Sequence, residues 1–428
     1  MKLNRVIQPN FKNIEHIDIP APQESVLENG IKTYIINAGT QDVLKIDVVF
    51  QAGNWHQKKS IIASTVNEML VEGSKNLTSQ QIAEKLDYYG AFIHAQPTKD
   101  FSNITLYTLR KYLPETIQIL DEVIKYPTFN ENELSTFLGK KKQKFQIELE
   151  KVTNIAQREF NEQLFGNEHP YGIKTQIDDF DNINQVDLIE FHEKYYNPDN
   201  CKIIISGKID DSDILLVNQY LGNIEWESKA EPDFLSFDIP KQAKLESVIE
   251  KENVTQSAIR VGKLSLNKNH PDYHKLNMVN TLLGGYFGSR LMKSIREEKG
   301  YTYGINSVLI ALKHGDYLVI LSEVGASVAK NAIKDIKTEI KKLREKEVSQ
   351  EELDLVKNYM LGDLLRSFDG PFEIASSFKD IIDLGLNMNF YTKEIETIKT
   401  ITPAEINFIA NKYFHEDSLV KTIAGKYN

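Results

Sequence analysis

The sequence predicts an α+β protein of two homologous domains. Each is a mostly antiparallel sheet covered on one face by helices, and the two are related by a pseudo-twofold repeat. Three features point there: the length, an internal repeat, and the grouping of strand-type and helix-type segments. At 428 residues the chain exceeds one ordinary core, and chains of this size divide into about two to four compact units. Residues 189–207 read IEFHEKYYNPDNCKIIISG and residues 406–425 read INFIANKYFHEDSLVKTIAG, each a helix with an aromatic end, a polar turn and a strand closed by glycine. A second pair agrees, FNENELSTFLGKKK from Phe129 and VSQEELDLVKNYMLG from Val348, both helix starts with acidic residues in the first turn. Offsets of 217 to 219 residues separate the copies, so one unit fills the chain twice.

Within the first copy, TYIINA and LKIDVVFQAG alternate as strands and read as a hairpin pair. SIIASTVNEMLVEG and SQQIAEKLDYYG have helical spacing, FIHAQPTKDFSNITLYTL reads as two more strands, and LPETIQILDEVIKY with ELSTFLGKKKQKFQIELEKV as further helices. Strands thus come in runs and helices in runs, the signature of α+β layering. Residues 226–244 carry two prolines and no periodicity, which marks a linker between a domain at 1–225 and a domain at 245–428.

Hydrophobic residues make up 41% and charged residues 26%, the balance of a folded globular protein. With 51 Lys and Arg against 61 Asp and Glu the formal charge is −10, which argues against a nucleic-acid partner, since phosphates demand a basic face. The one basic run, Lys140, Lys141, Lys142 and Lys144, lies among Glu131, Glu133, Glu148 and Glu150 and reads as a solvated helix face. A single cysteine, Cys201, excludes a disulfide framework and a Cys-based zinc knuckle, and its run CKIIISG reads as a packed strand. The first residues, MKLNRVIQPNFKNIEHI, lack the apolar core of a signal peptide, and no stretch approaches the ~20 apolar residues of a membrane span. A cytoplasmic protein with no membrane partner is expected.

None of the nine histidines sits in HExxH or in its inversion HxxEH, the patterns that place two zinc ligands and a water-activating glutamate on one helical turn. HPDYH, from His270 to His274, contains Pro271 and no glutamate and reads as a helix start. Gly284, Gly285 and Gly288 follow a helical run, without the GxGxxG spacing of a nucleotide site. No Gly-x-Ser-x-Gly elbow and no Cys and His couple appears.

Residues 60–101, SIIASTVNEMLVEGSKNLTSQQIAEKLDYYGAFIHAQPTKDF, resemble the metal-site helix and following strand of the pitrilysin/insulinase-like (inverzincin) peptidases, a family that includes the mitochondrial processing peptidase subunits. Laid on the family's HxxEH helix, the first histidine falls on Ser64, the glutamate on Asn67 and the second histidine on Glu68. The third ligand, a glutamate further along, falls on Lys144. A hydroxyl and an amide are poor zinc ligands, an ammonium is none, and one carboxylate cannot hold the ion alone. The water-activating base is missing as well. No metal or other cofactor is therefore expected in this chain.

The second copy keeps more. HPDYHKLNMVNTLLGGYFGSRLMKSIREEKGYTYGINS resembles the family's C-terminal signature, in which an arginine and a tyrosine seven residues apart, here Arg296 and Tyr303, hydrogen-bond the substrate backbone at the scissile bond. From the residues alone, Arg296 also reads as a surface ion-pair residue and Tyr303 as cross-strand packing. The resemblance implies the metal-free subunit of a bacterial-type heterodimeric peptidase. Its partner would be a homologous subunit containing HxxEH and carrying zinc, its substrates unfolded peptides, and this chain would show no activity alone. A non-catalytic scaffold or peptide-holding protein of the same fold is the alternative, and a homodimer the alternative assembly when the chain is isolated.

Overall fold

The computed structural model describes residue 14 and residues 16–228, 235–240 and 245–427. Residues 1–13, on which the reading of the N-terminus rests, and residues 229–234 and 241–244 of the expected linker lie outside the described residues. The first half runs β1 (Gln23–Val26), β2 (Lys32–Asn37), β3 (Val43–Phe50), α1 (Ile62–Met69), α2 (Ser79–Tyr89), β4 (Phe92–Pro97), β5 (Ser102–Leu109), α3 (Leu113–Lys125), α4 (Glu131–Leu149), α5 (Val152–Phe165), α6 (Gln185–Tyr195), β6 (Cys201–Gly207) and α7 (Asp211–Leu221). The second runs β7 (Glu246–Glu250), β8 (Gln256–Leu264), α8 (Tyr273–Asn280), β9 (Thr302–Ile310), β10 (Tyr317–Gly325), α9 (Ala329–Glu345), α10 (Gln350–Arg366), α11 (Pro371–Ile382), α12 (Asn389–Thr400), α13 (Pro403–Tyr413) and β11 (Val420–Gly425). Among the described residues no helix is long and apolar enough to cross a membrane.

Two separate sheets form, with strand orders β1-β2-β6-β3-β5-β4 and β7-β11-β8-β10-β9. Apart from β1, the two orders superpose strand for strand. In both sheets the last strand of the half lies parallel to the first of the shared set, Ile35 beside Ile205 and Val248 beside Ile423, while every other pairing is antiparallel. The expected two-domain α+β repeat is therefore the fold. The hairpin expected of β2 and β3 does not form, because β6 lies between them. Its run Ile203, Ile204, Ile205 is buried on both faces, and that demands a central position that only a strand arriving from the far end of the half can fill.

A feature that local patterning does not show is an exchange of helices. Side chains of β2 and β6 alternate: Ile35, Ile203 and Ile205 join the core of the first half, whereas Tyr34, Ile36 and Ile204 join the core of the second. The helix they meet there is α11, whose Phe378 ring lies 4.9 Å from that of Tyr34. Reciprocally, α5 of the first half packs on β8 and β11 of the second through Ala156, Phe160 and Leu164. Val152 and Pro371, where the two helices begin, are 219 residues apart, so the exchange obeys the repeat. Close approach is built in at Gly262 of β8, where a Cβ would stand 2.9 Å from the Phe160 ring and 2.0 Å from the Leu318 carbonyl oxygen.

Polar groups set the register of both docked helices. Asp47 is fully buried on β3 and meets Lys45 at 3.0 Å, Lys379 of α11 at 3.4 Å and the Thr105 hydroxyl at 2.7 Å. On the other side Arg260 donates to Gln157 at 3.2 Å, and Ser247 to Glu159 at 2.8 Å. An aromatic seam adds to these, with Trp55 stacked on His314 at 3.7 Å and packed beside Tyr171 and His169.

Two predictions follow from the exchange. Phe160→Ala removes a fully buried ring that belongs to one half and fills the other. It should cost about 3–5 kcal/mol in urea unfolding, with both halves still melting in one transition. Burial, with His314 and Lys99 beside it, pushes the His169 pKa down to about 4. A base whose pKa is lowered on folding favours the folded state while neutral, so this contribution is present above pH ~6.5 and lost as the pH falls toward 4. The drop in Tm between pH 7 and pH 5 should be smaller in His169→Gln than in the natural protein, by a stability difference on the order of 1 kcal/mol.

Candidate functional site

Helix α1 is capped by Ile61 in the left-handed region at φ 64°, an uncommon conformation for a β-branched residue. Its carbonyl takes the Thr65 amide at 2.9 Å and the Ser64 hydroxyl at 3.1 Å. Ser64 and Glu68, one turn apart, face α4, a helix capped by the Asn130 side chain. Lys141 of α4 fills the space between them, donating to Glu68 Oε1 at 2.8 Å and to Ser64 Oγ at 3.1 Å. Burial pushes the Lys141 ammonium below its ordinary pKa, Glu68 pulls it back up, and Lys144 pushes it down.

Ser64, Asn67, Glu68 and Lys144, the positions that the resemblance lays on the metal site, do not form one cluster. The cation that meets Glu68 belongs to Lys141, one helical turn before Lys144. Helical phase is the reason: Leu134 and Leu138 are the buried residues of α4, and Lys141 continues their stripe at i+7 and i+3, whereas Lys144 lies well to its side. The basic run is thus not wholly a solvated face, since Lys141 is half-buried and Lys142 reaches Asp181 at 2.5 Å. Nor does Asn67 share the cluster. It turns inward, fully buried, and donates to Ser102 Oγ at 2.5 Å and to the Asn103 carbonyl at 3.3 Å, with Tyr196 closing the chain on Ser102.

The residues present do not fit a zinc ion. Ser64 and Glu68 offer one carboxylate, and an ammonium stands where a cation would have to sit. Among the described residues no group of three or more His, Cys, Asp or Glu side chains could hold a metal.

In the second half α8 continues into a π-helical turn at Thr281–Gly285, and a second π-helical segment spans Met292–Glu298. Gly284 lets the first approach β9, since a Cβ there would lie 2.7 Å from Ser307 Cβ. The structure brings Arg296 and Tyr303 together: Arg296 Nε donates to the Tyr303 carbonyl at 2.9 Å, and its guanidinium lies over the Phe287 ring at 4.6 Å. Tyr303 is 92% exposed on β9, an edge strand. A bulge presents it. Ile305 pairs Ser322 and Thr302 pairs Val324, so β9 carries one extra residue here, bound through Thr302 Oγ1 to the Glu323 carbonyl at 2.6 Å. Glycine inside the strand pattern at Gly304 was the signal for the bulge. Phe287 carried no signal beyond its place in a glycine-rich turn. Arg296 keeps its terminal nitrogens for further acceptors, with one of them 3.9 Å from Glu297.

A two-domain chain with an insulinase-type repeat, a closed metal helix and an exposed arginine and tyrosine defines a class of peptidase-like proteins, and comparison with known sequences finds that class. Residues 32–169 match Insulinase (Peptidase family M16), and residues 182–360 match Peptidase M16 inactive domain. The chain belongs to peptidase family M16. It is 23% identical over 409 residues to the uncharacterized zinc protease YmxG of Bacillus subtilis, covering 94% of this chain and 98% of that one. It is 25% identical over 378 residues to the non-peptidase homolog YmxG of Helicobacter pylori, covering 85% and 84%. The solved structure of a peptidase M16 inactive domain from Pseudomonas fluorescens superposes with a TM-score of 0.87 at 22% identity, covering 95% of this chain and 98% of that chain, a likeness of fold.

The position of Lys141 can be tested by rebuilding the site. Ser64→His with Glu68→His and Lys141→Glu should bind about one zinc per chain after dialysis, measured by elemental mass spectrometry. The same pair of histidines with Lys144→Glu in place of Lys141→Glu should remain metal-free.

Proposed function

We propose that this chain is the metal-free subunit of a heterodimeric M16 peptidase. It would hold unfolded peptide and contribute Arg296 and Tyr303 to the zinc site of a homologous HxxEH subunit. The observation that carries the reading is the asymmetry between the halves. Lys141 closes the metal helix, while Arg296 and Tyr303 stand together at an exposed edge strand, where a side chain serves no core of its own.

The chemistry asked of the pair is modest. Peptide pairs as an added strand along a sheet edge, which gives main-chain hydrogen bonds without sequence demands. Zinc and its water-activating glutamate belong to the partner. Arg296 supplies a fixed positive charge and Tyr303 a phenolic O–H, both aimed at the scissile carbonyl oxygen as negative charge develops on it. Removing one such donor typically costs about 2.7–4 kcal/mol.

The scaffold reading has one observation in its favour: Arg296 is already held within the chain, its Nε by the Tyr303 carbonyl and its guanidinium over the Phe287 ring. Kinetics separates the two. Alone, the purified chain should cleave no peptide in a chelator-sensitive way, and an HxxEH subunit should restore cleavage. In that complex Arg296→Ala or Tyr303→Phe should lower kcat/KM by about 10² with assembly intact by size-exclusion chromatography. Undiminished activity in the doubly substituted complex would leave the scaffold as the function.

A further inference from the structure

Where the halves meet, the β4–β5 turn, the β9–β10 turn, Lys268 ahead of α8 and the C-terminal part of α11 enclose a cavity of about 590 Å³. That is the size of a small-molecule site. In a chain of net charge −10 this space is unexpectedly cationic. Lys99, Lys268, Lys313 and Lys379 line it, and Lys202 stands at its edge against Asp383, with its ammonium 5.2 Å from the centre of the Phe101 ring.

Four lysines line the space and Lys202 stands at its edge, against three lining carboxylates, Asp100, Asp380 and Asp383, so its charge is compensated only in part. Lys313 Nζ bonds the neutral side chain of Gln51. Lys268 Nζ reaches the main-chain carbonyl of Asp380 at 3.3 Å. The Lys99 ammonium makes no hydrogen bond or ion pair among the described residues, and Lys379 has a 3.4 Å approach to Asp47, which Lys45 already holds at 3.0 Å. The carboxylates facing the same space are each held by neighbours, and they offset part of the charge. Asp100 takes the Tyr171 hydroxyl and the Lys313 amide, and Asp383 takes Lys202. At Asp380 burial raises the pKa, and Lys268, Lys379 and Lys45 nearby oppose it. Burial likewise lowers the pKa of Lys99 and Lys313, with Asp100 opposing, and burial with Lys313 and Lys379 nearby lowers that of Lys202 to about 8. Ammonium groups crowded into low dielectric with too few counter-charges are costly; a bound anion would lessen that cost.

We propose that this cavity binds a small polyanion, bearing several phosphate or carboxylate oxygens, that ties the two halves together. Lysines rather than arginines line it, so the site asks for charge and not for a planar two-pronged acceptor. Several convergent ammoniums call for more than one negative charge on the ligand. Lys99 comes from the first half, and Lys313 and Lys268 from the second, so the ligand bridges the seam and stabilises it by mass action. The site owes nothing to a peptidase partner and stands apart from Arg296 and Tyr303.

The test uses the full chain with sodium tripolyphosphate as the phosphate probe and citrate as the carboxylate probe, each against sodium chloride at matched ionic strength. At least one probe should raise Tm beyond the salt control and bind stoichiometrically by calorimetry, and which one does so names the ligand class. Lys99→Met with Lys313→Met should weaken that binding at least tenfold, and Lys341→Met on the exposed face of α9 should leave it unchanged. On the unaltered chain, the binding probe should also slow acetylation of Lys99, Lys202 and Lys313, but not of Lys341, read by peptide mass spectrometry. This last measurement decides the matter if the doubly substituted chain fails to fold. Stabilisation no greater than that of salt, or equal protection of Lys341, would overturn the proposal.

Discussion

The exchange of α5 and α11 is the constraint on which the rest of the molecule depends. Each sheet has two faces that want cover, since β2 and β6 alternate Ile35, Ile203 and Ile205 toward one side and Tyr34, Ile36 and Ile204 toward the other. A half folded by itself would expose the second set. The partner half supplies the missing helix on both sides, so neither sheet is complete without the other. Rigid placement of the halves follows, and with it the placement of β4 and β9, of the aromatic seam around Trp55, and of the lysine-lined cavity.

Within that frame the two halves have taken different paths from one plan. In the first, the helix turn that would carry metal ligands presents Ser64 and Glu68 to an ammonium, and Asn67 has withdrawn into a polar chain with Ser102 and Tyr196. The pair Lys141 and Glu68 is partly exposed, with side-chain exposures of 22% and 34%, so its net worth is small. Its effect is exclusion: a fixed cation stands where a second cation would have to enter. In the second half, a bulge and two π-helical segments, each uncommon in regular structure, hold Tyr303 out and Arg296 against its carbonyl. Irregular backbone maintained around exposed side chains is characteristic of sites that bind.

Much of this was legible in the chain. The 217-to-219-residue offset carried the repeat, and the acidic first turns at Glu131 and Glu351 carried the starts of α4 and α10. Arg296 and Tyr303 stood out only through the resemblance to the family's C-terminal signature, and their contact through the Tyr303 carbonyl had no signal in the chain. What was not legible shares one cause. Linear spacing was read where three-dimensional phase decides. The resemblance laid a ligand position on Lys144, while the cation that meets Glu68 is Lys141, which follows the buried stripe of Leu134 and Leu138. Proximity in sequence suggested a β2–β3 hairpin, while the doubly apolar Ile203 to Ile205 run of β6 claims the place between them. The helix exchange left no local trace, because an amphipathic helix does not say which sheet it covers.

The proposed function asks that a chain with no metal of its own complete a partner's site. The most direct measurement is a crystal structure of the chain with a homologous HxxEH subunit, inactivated at its glutamate, and a bound peptide. The Arg296 guanidinium and the Tyr303 hydroxyl should lie within hydrogen-bond reach of the peptide carbonyl nearest the partner's metal, with Lys141 still seated between Ser64 and Glu68. Peptide bound at the partner's metal with Arg296 and Tyr303 turned away from it, or metal found beside Glu68, would contradict it.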